Sequence, residues 1–487
     1  MEVKALLLSL AIVLFSLPLR ALELTPLSNT PYTGDLDTLA EKRVIRVLVS
    51  ADLGFYYIEK GLPRGIGAEQ LYHFEKHFKK KYPKVKLQVI PVPRDDLIPA
   101  LVNGYGDLIV ANLTVTPGRE QVIQFSTPIL DGIDELIITS DDYPTLSSLE
   151  DLSGKEVWVR ASSSYFESLQ KLNRELTEEG RAPVLVQYLE ETLQDYELIE
   201  MVKQGYVKAT VLDSHKAFFW NKTFDDLNIH SELPLREGGQ IAWAMRKDSP
   251  KLGAQVDAYI KTAKGGTLLG NVIYNKYLEN TSWFAKALDP NNIQQLEKLI
   301  TLFKRYADQY DFDFLMIAAQ AFQESKLNQN KVSPKGAVGI MQVLPSTARD
   351  QNVNIKNINN IENNVHAGVK YMRFIRDRYF SDDAISDDDK VYLTLAAYNA
   401  GPGNISRMRR LAEKHGYDPN KWFGNVELMA RRNISSEPVT YVANINRYFV
   451  IYKQLESLQE IRDEQQALNQ DIEFYRILGE KEETSTK

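Results

Sequence analysis

The stretch Gln323-Glu324-Ser325 places a carboxylate at the end of a strongly apolar run, Phe314-Leu315-Met316-Ile317-Ala318-Ala319, with Phe322 beyond it. These apolar positions suit a buried helix. A carboxyl held against such a surface tends to keep its proton, because desolvation disfavours the charged form. A protonated carboxyl at neutral pH is what general-acid chemistry needs. The bland alternative is an exposed glutamate at a fraying helix end. Three other stretches bear on the choice. Ser333-Pro334-Lys335-Gly336-Ala337-Val338-Gly339-Ile340-Met341-Gln342 is glycine-punctuated yet apolar, unusual for a solvated loop. Ala396-Ala397-Tyr398-Asn399-Ala400-Gly401-Pro402-Gly403 stops one helix at Gly401 and starts another at Pro402. Glu437-Pro438-Val439-Thr440-Tyr441-Val442 opens a further helix. Singly, each has a structural explanation: core packing, a helix C-cap, an acid at a helix start.

A chain of 487 residues is too long for one ordinary core, so two or three domains are expected. The net charge of −7 is mild and the basic residues are dispersed, which excludes nucleic acid as a partner. The absence of cysteine excludes disulfides, thiol nucleophiles, zinc–thiolate sites and a lipidated N-terminal cysteine. The six histidines show no HExxH-type spacing, so neither a metal nor a cofactor is expected. Residues 1–21 combine Lys4, an apolar run from Ala5 to Leu17, and Ala21, the pattern of a secretory signal peptide. Cleavage after Ala21 and retention as an anchor both remain open. No later segment is apolar enough to span a bilayer.

The elements that must position these residues follow in order. Residues 22–42 read as a poorly ordered lead-in. From Arg43 strands alternate with helices: strands at Val44–Val49, Lys86–Val92 and Asp107–Val110, helices at Gly67–Lys80 and Arg94–Asn103. A second series has strands at Glu156–Arg160, Pro183–Tyr188 and Ala209–Leu212, with helices at Tyr165–Leu176 and Leu193–Gln204. Strand Gln240–Met245 and helix Ser249–Ala263 return to the first style. Such alternation predicts βαβ units, a mostly parallel sheet, and two α/β lobes with a ligand cleft between them. Residues 279–291 read as the connection between domains. Beyond it the pattern is helical: Ile293–Tyr310, Phe312–Phe322, Ile361–Phe380, Asp389–Tyr398, Pro402–His415 and Glu437–Leu455, before a charged tail over 456–487.

Residues 43–278 resemble the extracytoplasmic solute-binding family that captures polar amino acids. The segment Gly104–Pro128, with Asp107, Asn112-Leu113-Thr114-Val115-Thr116-Pro117, Arg119 and Phe125-Ser126-Thr127-Pro128, carries the resemblance, as does Gly265-Gly266-Thr267 through Tyr277. The resemblance implies that Thr114 and Arg119 hold a ligand carboxylate, a task suited to the planar guanidinium fork. It also implies that Asp213 takes the amino group and that the Ser162–Ser164 loop supplies N–H groups to an anion. Asp52-Leu53-Gly54-Phe55-Tyr56-Tyr57 departs from the family's aromatic segment.

Residues 292–455 resemble the lysozyme-like lytic transglycosylases of peptidoglycan. The carrying motifs are, in order, Glu324-Ser325, Gly339-Ile340-Met341-Gln342, Ala397-Tyr398-Asn399-Ala400-Gly401, and Glu437-Pro438 through Tyr441-Val442, with Ile340 and Pro438 as departures. Both halves together resemble the membrane-bound lytic murein transglycosylase F family. This implies a carbon–oxygen lyase on peptidoglycan glycan strands, with Glu324 as acid and then base. Ser325, Met341, Gln342, Tyr398, Asn399 and Tyr441 are expected to line the sugar cleft, with Met341 packing on a sugar face. It further implies a periplasmic protein in peripheral contact with the outer membrane, whose first domain senses an amino acid or muropeptide. The competing expectation is an amino-acid receptor with a non-catalytic helical module. A lysozyme-type hydrolase ranks lower, because no second carboxylate is evident.

Overall fold

The computed structural model describes residues 30–59, 61–224, 227–287, 290–453, 456 and 460, the side chains of 285–297 excepted. The expected signal peptide, the first part of the lead-in and nearly all of the charged tail fall outside these residues.

The first lobe is built on strand Val44–Val49, which pairs in parallel with Lys86–Pro91 and Leu108–Thr114. In the second, Glu156–Arg160 pairs in parallel with Leu185–Leu189 and Ala209–Asp213. Two long strands, Leu130–Thr139 and Arg236–Met245, join these wings and run antiparallel to their neighbours. The sheet is therefore mixed, with parallel wings, rather than mostly parallel. Each crossing strand is exposed near its start and buried at its end, at Leu136–Thr139 in the second lobe and Ile241–Met245 in the first. They carry the chain out of one lobe and back again.

The lead-in is more ordered than its composition suggests. Leu36–Lys42 is a helix whose Leu36 and Leu39 are buried in the first lobe. Asp35 caps it by accepting from Leu36 N at 2.7 Å, and also accepts from Leu252 N at 2.9 Å. Two apolar positions are too few to show a period, and tertiary burial decides the outcome. Arg46 adds a tie, donating to Tyr32 O at 2.9 Å while paired with fully buried Asp107 at 2.8 Å.

The connection over 279–291 is likewise helical where described, with Ser282–Ala287 forming one helix and Pro290 opening the next. Trp283 stacks on Phe219 and Tyr57, at 5.5 and 5.4 Å between ring centroids. The helical domain then packs Pro290–Tyr310, Phe314–Ser325, Ile361–Tyr379, Asp387–Ala400, Pro402–Lys414, Glu427–Asn433 and a helix over 437–453 around one core. That last helix also docks on the first lobe. Tyr452 donates to Gly61 O at 2.9 Å, Arg447 pairs with Glu75 at 3.4 Å, and Ile451 joins the lobe's apolar cluster.

Candidate active site

Asp313 starts the helix Phe314–Ser325 by accepting from Leu315 N at 2.8 Å, and Lys326, left-handed at φ 60°, ends it. Glu324 thus lies inside the last turn, beyond the end of the helix expected from the apolar pattern. Its neighbours Phe322 and Ser325 are buried, whereas Glu324 keeps partial exposure. Burial pushes its carboxyl up to about 7, against the opposing influence of the Tyr441 hydroxyl and the Lys331 ammonium. The Tyr441 hydroxyl donates to Glu324 Oε1 at 2.6 Å. Burial and the Glu324 charge hold Tyr441 well above the ordinary phenol range, so it remains a donor. Among the described residues no carboxylate is among the groups that act on Glu324.

The Gly339–Gln342 turn, on the next loop, is tied to the end of this helix through Ser325. Asn364 anchors it, accepting from Met341 N at 2.9 Å and donating to Val338 O at 2.8 Å. A side chain at Gly339, with φ 82°, would collide with Asn364. Gln342 takes φ 48° and donates to Gly339 O at 2.8 Å and Lys331 O at 3.0 Å. Tyr398 donates to Met341 O at 2.8 Å, and Glu324 is among the charges raising its hydroxyl.

The motif residues converge, though two of them face inward. Met341 is fully buried and its side chain packs on Gly368, so it has no face to offer a sugar in this arrangement. Ser325 is buried too, donating to Ile340 O at 2.9 Å and accepting from Asn328 N at 3.0 Å. It ties the Glu324 helix to the turn. Asn399 is half-buried, and its side chain makes no hydrogen bond among the described residues. Motif reasoning missed Gln320, Lys331 and Asn364. Fully buried Gln320 donates to the Tyr441 hydroxyl at 3.3 Å; its signal was a polar residue one turn before Glu324 in an apolar run. Asn364, a buried amide inside an otherwise ordinary helix, gave no comparable signal.

Between the two lobes, Thr114, Arg119, Ser162 and Asp213 line one cavity of about 110 Å³. The Arg119 fork donates to Thr114 O and to Ser162 O, both at 2.8 Å, and so bridges the lobes. Ser162 donates from N at 3.0 Å and from Oγ at 2.6 Å to the carboxylate of Glu191. Burial raises Asp213 to about 7, with Lys216 opposing and Glu135 reinforcing the shift. Asn112 donates to its Oδ2 at 2.5 Å, while Oδ1 is buried without a partner among the described residues. A second interlobe cluster joins Arg94 to Asp52 at 3.0 Å, and Arg160 and Lys216 to Asp195 at 2.9 and 2.7 Å.

Both halves match known families. Residues 301–420 match the Transglycosylase SLT domain, and residues 45–280 match the bacterial extracellular solute-binding proteins, family 3. The two matches together define a lytic transglycosylase joined to a solute-binding domain. More narrowly, the chain belongs to the membrane-bound lytic murein transglycosylase F family. A relative of that name from Desulfosudis oleivorans is 30% identical over 431 residues, covering 84% of this chain and 90% of the relative. Another from Pseudomonas fluorescens is 28% identical, covering 85% and 86%. One from Aliivibrio fischeri is 27% identical, covering 88% and 87%. The chain is also similar to a solved mutant of ArgBP from T. maritima, 23% identical, with a TM-score of 0.41, covering 50% of this chain and 99% of that one.

Proposed function

We propose that the chain cleaves the β-1,4 bond between N-acetylmuramic acid and N-acetylglucosamine without water, with Glu324 as its single acid and base. The observation that carries this reading is the Glu324 carboxyl, raised to about 7 by burial, held by Tyr441 and facing no second carboxylate among the described residues. Protonated Glu324 gives its proton to the linking oxygen as the muramoyl C1–O bond breaks. The carboxylate left behind takes the proton of the muramoyl 6-hydroxyl, whose oxygen bonds to C1 and closes a 1,6-anhydro ring. The sugar's own hydroxyl replaces water, so the two-carboxylate arrangement of ordinary glycosidases is not needed. Tyr441 steadies the carboxyl, and the unengaged Asn399 amide meets the 2-acetamido group. Gln342 and Tyr398 shape the cleft wall. Ser325 and Met341 serve by holding the Glu324 helix and the turn together.

An acid catalyst must carry its proton, so turnover is expected to fall as pH rises through about 7. Initial rates on purified peptidoglycan from pH 5 to pH 9 check this. A flat profile across that span contradicts the assignment.

The first domain is proposed to bind an α-amino acid or a stem-peptide end, its carboxylate at Arg119 and its ammonium at the unpartnered Asp213 Oδ1. Supporting a regulatory role, the helix over 437–453 carries Tyr441 to Glu324 while Arg447 and Tyr452 contact the first lobe. Arg119→Ala is expected to abolish calorimetric binding of free amino acids and stem peptides, and any ligand response of turnover; retained binding refutes the pocket assignment. The family name agrees with an envelope location, and among the described residues no helix is long and apolar enough to cross a membrane. Export by residues 1–21, a periplasmic position and peripheral contact with the outer membrane complete the proposal.

A further inference from the structure

Lys331 is an exposed residue on the loop between the Glu324 helix and the Gly339–Gln342 turn. Its backbone is fixed to that turn, its carbonyl accepting from Gly339 N at 2.9 Å and from Gln342 Nε2 at 3.0 Å. Its ammonium reaches the other way and donates to the Glu324 carbonyl, at the end of the catalytic helix. The loop therefore holds a positive charge on the main-chain carbonyl of the residue whose carboxyl must gain and lose a proton.

We infer that Lys331 is a positioning residue for the acid step, its ammonium stabilising the Glu324 carboxylate that forms as the glycosidic bond breaks. The inference rests on Glu324 being the acid and base. As the proton passes to the leaving oxygen, negative charge grows on Glu324, and a cation already in place needs no reorganisation to meet it. The same charge weakens the carboxylate as a base in the ring-closing step, so Lys331 sets the balance between the two halves of the reaction.

The titratable groups around Glu324 show that this task falls to Lys331. Tyr441, on the helix over 437–453, donates a neutral hydrogen bond to the carboxyl. Tyr398, on Asp387–Ala400, points its hydroxyl at Met341 O. Lys326 ends the Glu324 helix, Phe314–Ser325, but its ammonium sits over the Phe322 ring, 4.1 Å from the centroid. Among the described residues, Lys331 supplies the charge that favours ionisation of Glu324. The plainer alternative is that Lys331 only caps the helix end, where a cation meets the carbonyl dipoles.

The pH profile separates the two. In Lys331→Met the alkaline limb of turnover is expected to move up by about half a pH unit, a modest shift because the ammonium is exposed. Turnover on the plateau should fall several-fold with KM little changed. Lys331→Arg keeps the charge and should restore the limb. Raising salt from about 0.01 to about 1 M shrinks the screening length roughly tenfold. It should carry the wild-type limb towards that of Lys331→Met and leave the variant in place. A variant that melts lower, yet keeps the wild-type limb and salt response, shows capping only and overturns the inference. Turnover in Glu324→Gln comparable to wild type would instead overturn the reading on which it rests.

Discussion

Glu324→Gln is expected to lower turnover on purified peptidoglycan by about two to four orders of magnitude at pH 7, with the fold intact. Glutamine keeps the shape and can accept from Tyr441, but it has no proton to give to a leaving oxygen. The same substitution is expected to stabilise the protein at alkaline pH. The folded carboxyl titrates at about 7 against an ordinary 4.5, so the folded state binds this proton more tightly than the unfolded chain. Its contribution to stability is fully present below the unfolded value and is lost as pH rises towards 7. The full shift corresponds to a ceiling of about 3 kcal/mol, reduced by the partial exposure of Glu324. Calorimetric melting at pH 8 should find the variant above wild type, with the gap closing near pH 4. An active variant, or one with the same gap at both pH values, contradicts the assignment of Glu324 as a buried acid.

The second large effect is expected at Tyr441→Phe. The hydroxyl lies 2.6 Å from Glu324 Oε1, and its hydrogen bond favours the charged carboxylate. A hydrogen bond to a charged group is worth about 1.5–3 kcal/mol, or roughly ten- to a hundredfold in rate if the transition state uses it fully. Without it the carboxyl is a weaker acid, so the alkaline limb should move up as kcat falls. The loss also deprives Gln320 of the acceptor for its Nε2, in an amide whose Oε1 is already buried without a partner among the described residues. An unsatisfied buried amide costs about 1–3 kcal/mol, so the variant should also melt lower. Rate, pH limb and melting together identify the role. A variant that melts lower with wild-type kcat and limb would leave Tyr441 as packing alone.

Apolar patterning made the wings of the sheet legible, because Val44–Val49 is apolar but for Arg46 and Glu156–Arg160 is an apolar triplet between two charges. The crossing strand Leu130–Thr139 was not legible. It opens on Asp131-Gly132 and passes Asp134 and Glu135, which read as a turn and a polar break. Both are consequences of a strand that travels between two lobes. At the site, the order of motifs singled out Glu324, Tyr398 and Tyr441, which the fold brings together, because residue type and spacing survive in the sequence. Direction does not. Met341 and Ser325 belong to those motifs, yet one packs on Gly368 and the other on Ile340 O. Nothing local to the sequence says that Asn364, on a helix well downstream, would hold the turn. Such contacts are set by the packing of distant helices.

The central claim is that one carboxyl suffices because the substrate supplies its own nucleophile. Digestion of purified sacculi in water enriched in heavy oxygen, followed by mass spectrometry of the muropeptides, tests it most directly. The account predicts products lacking one water relative to hydrolysis products, with no heavy oxygen at the muramoyl end. Products of full hydrolytic mass, carrying one heavy oxygen at a free reducing end, would contradict it.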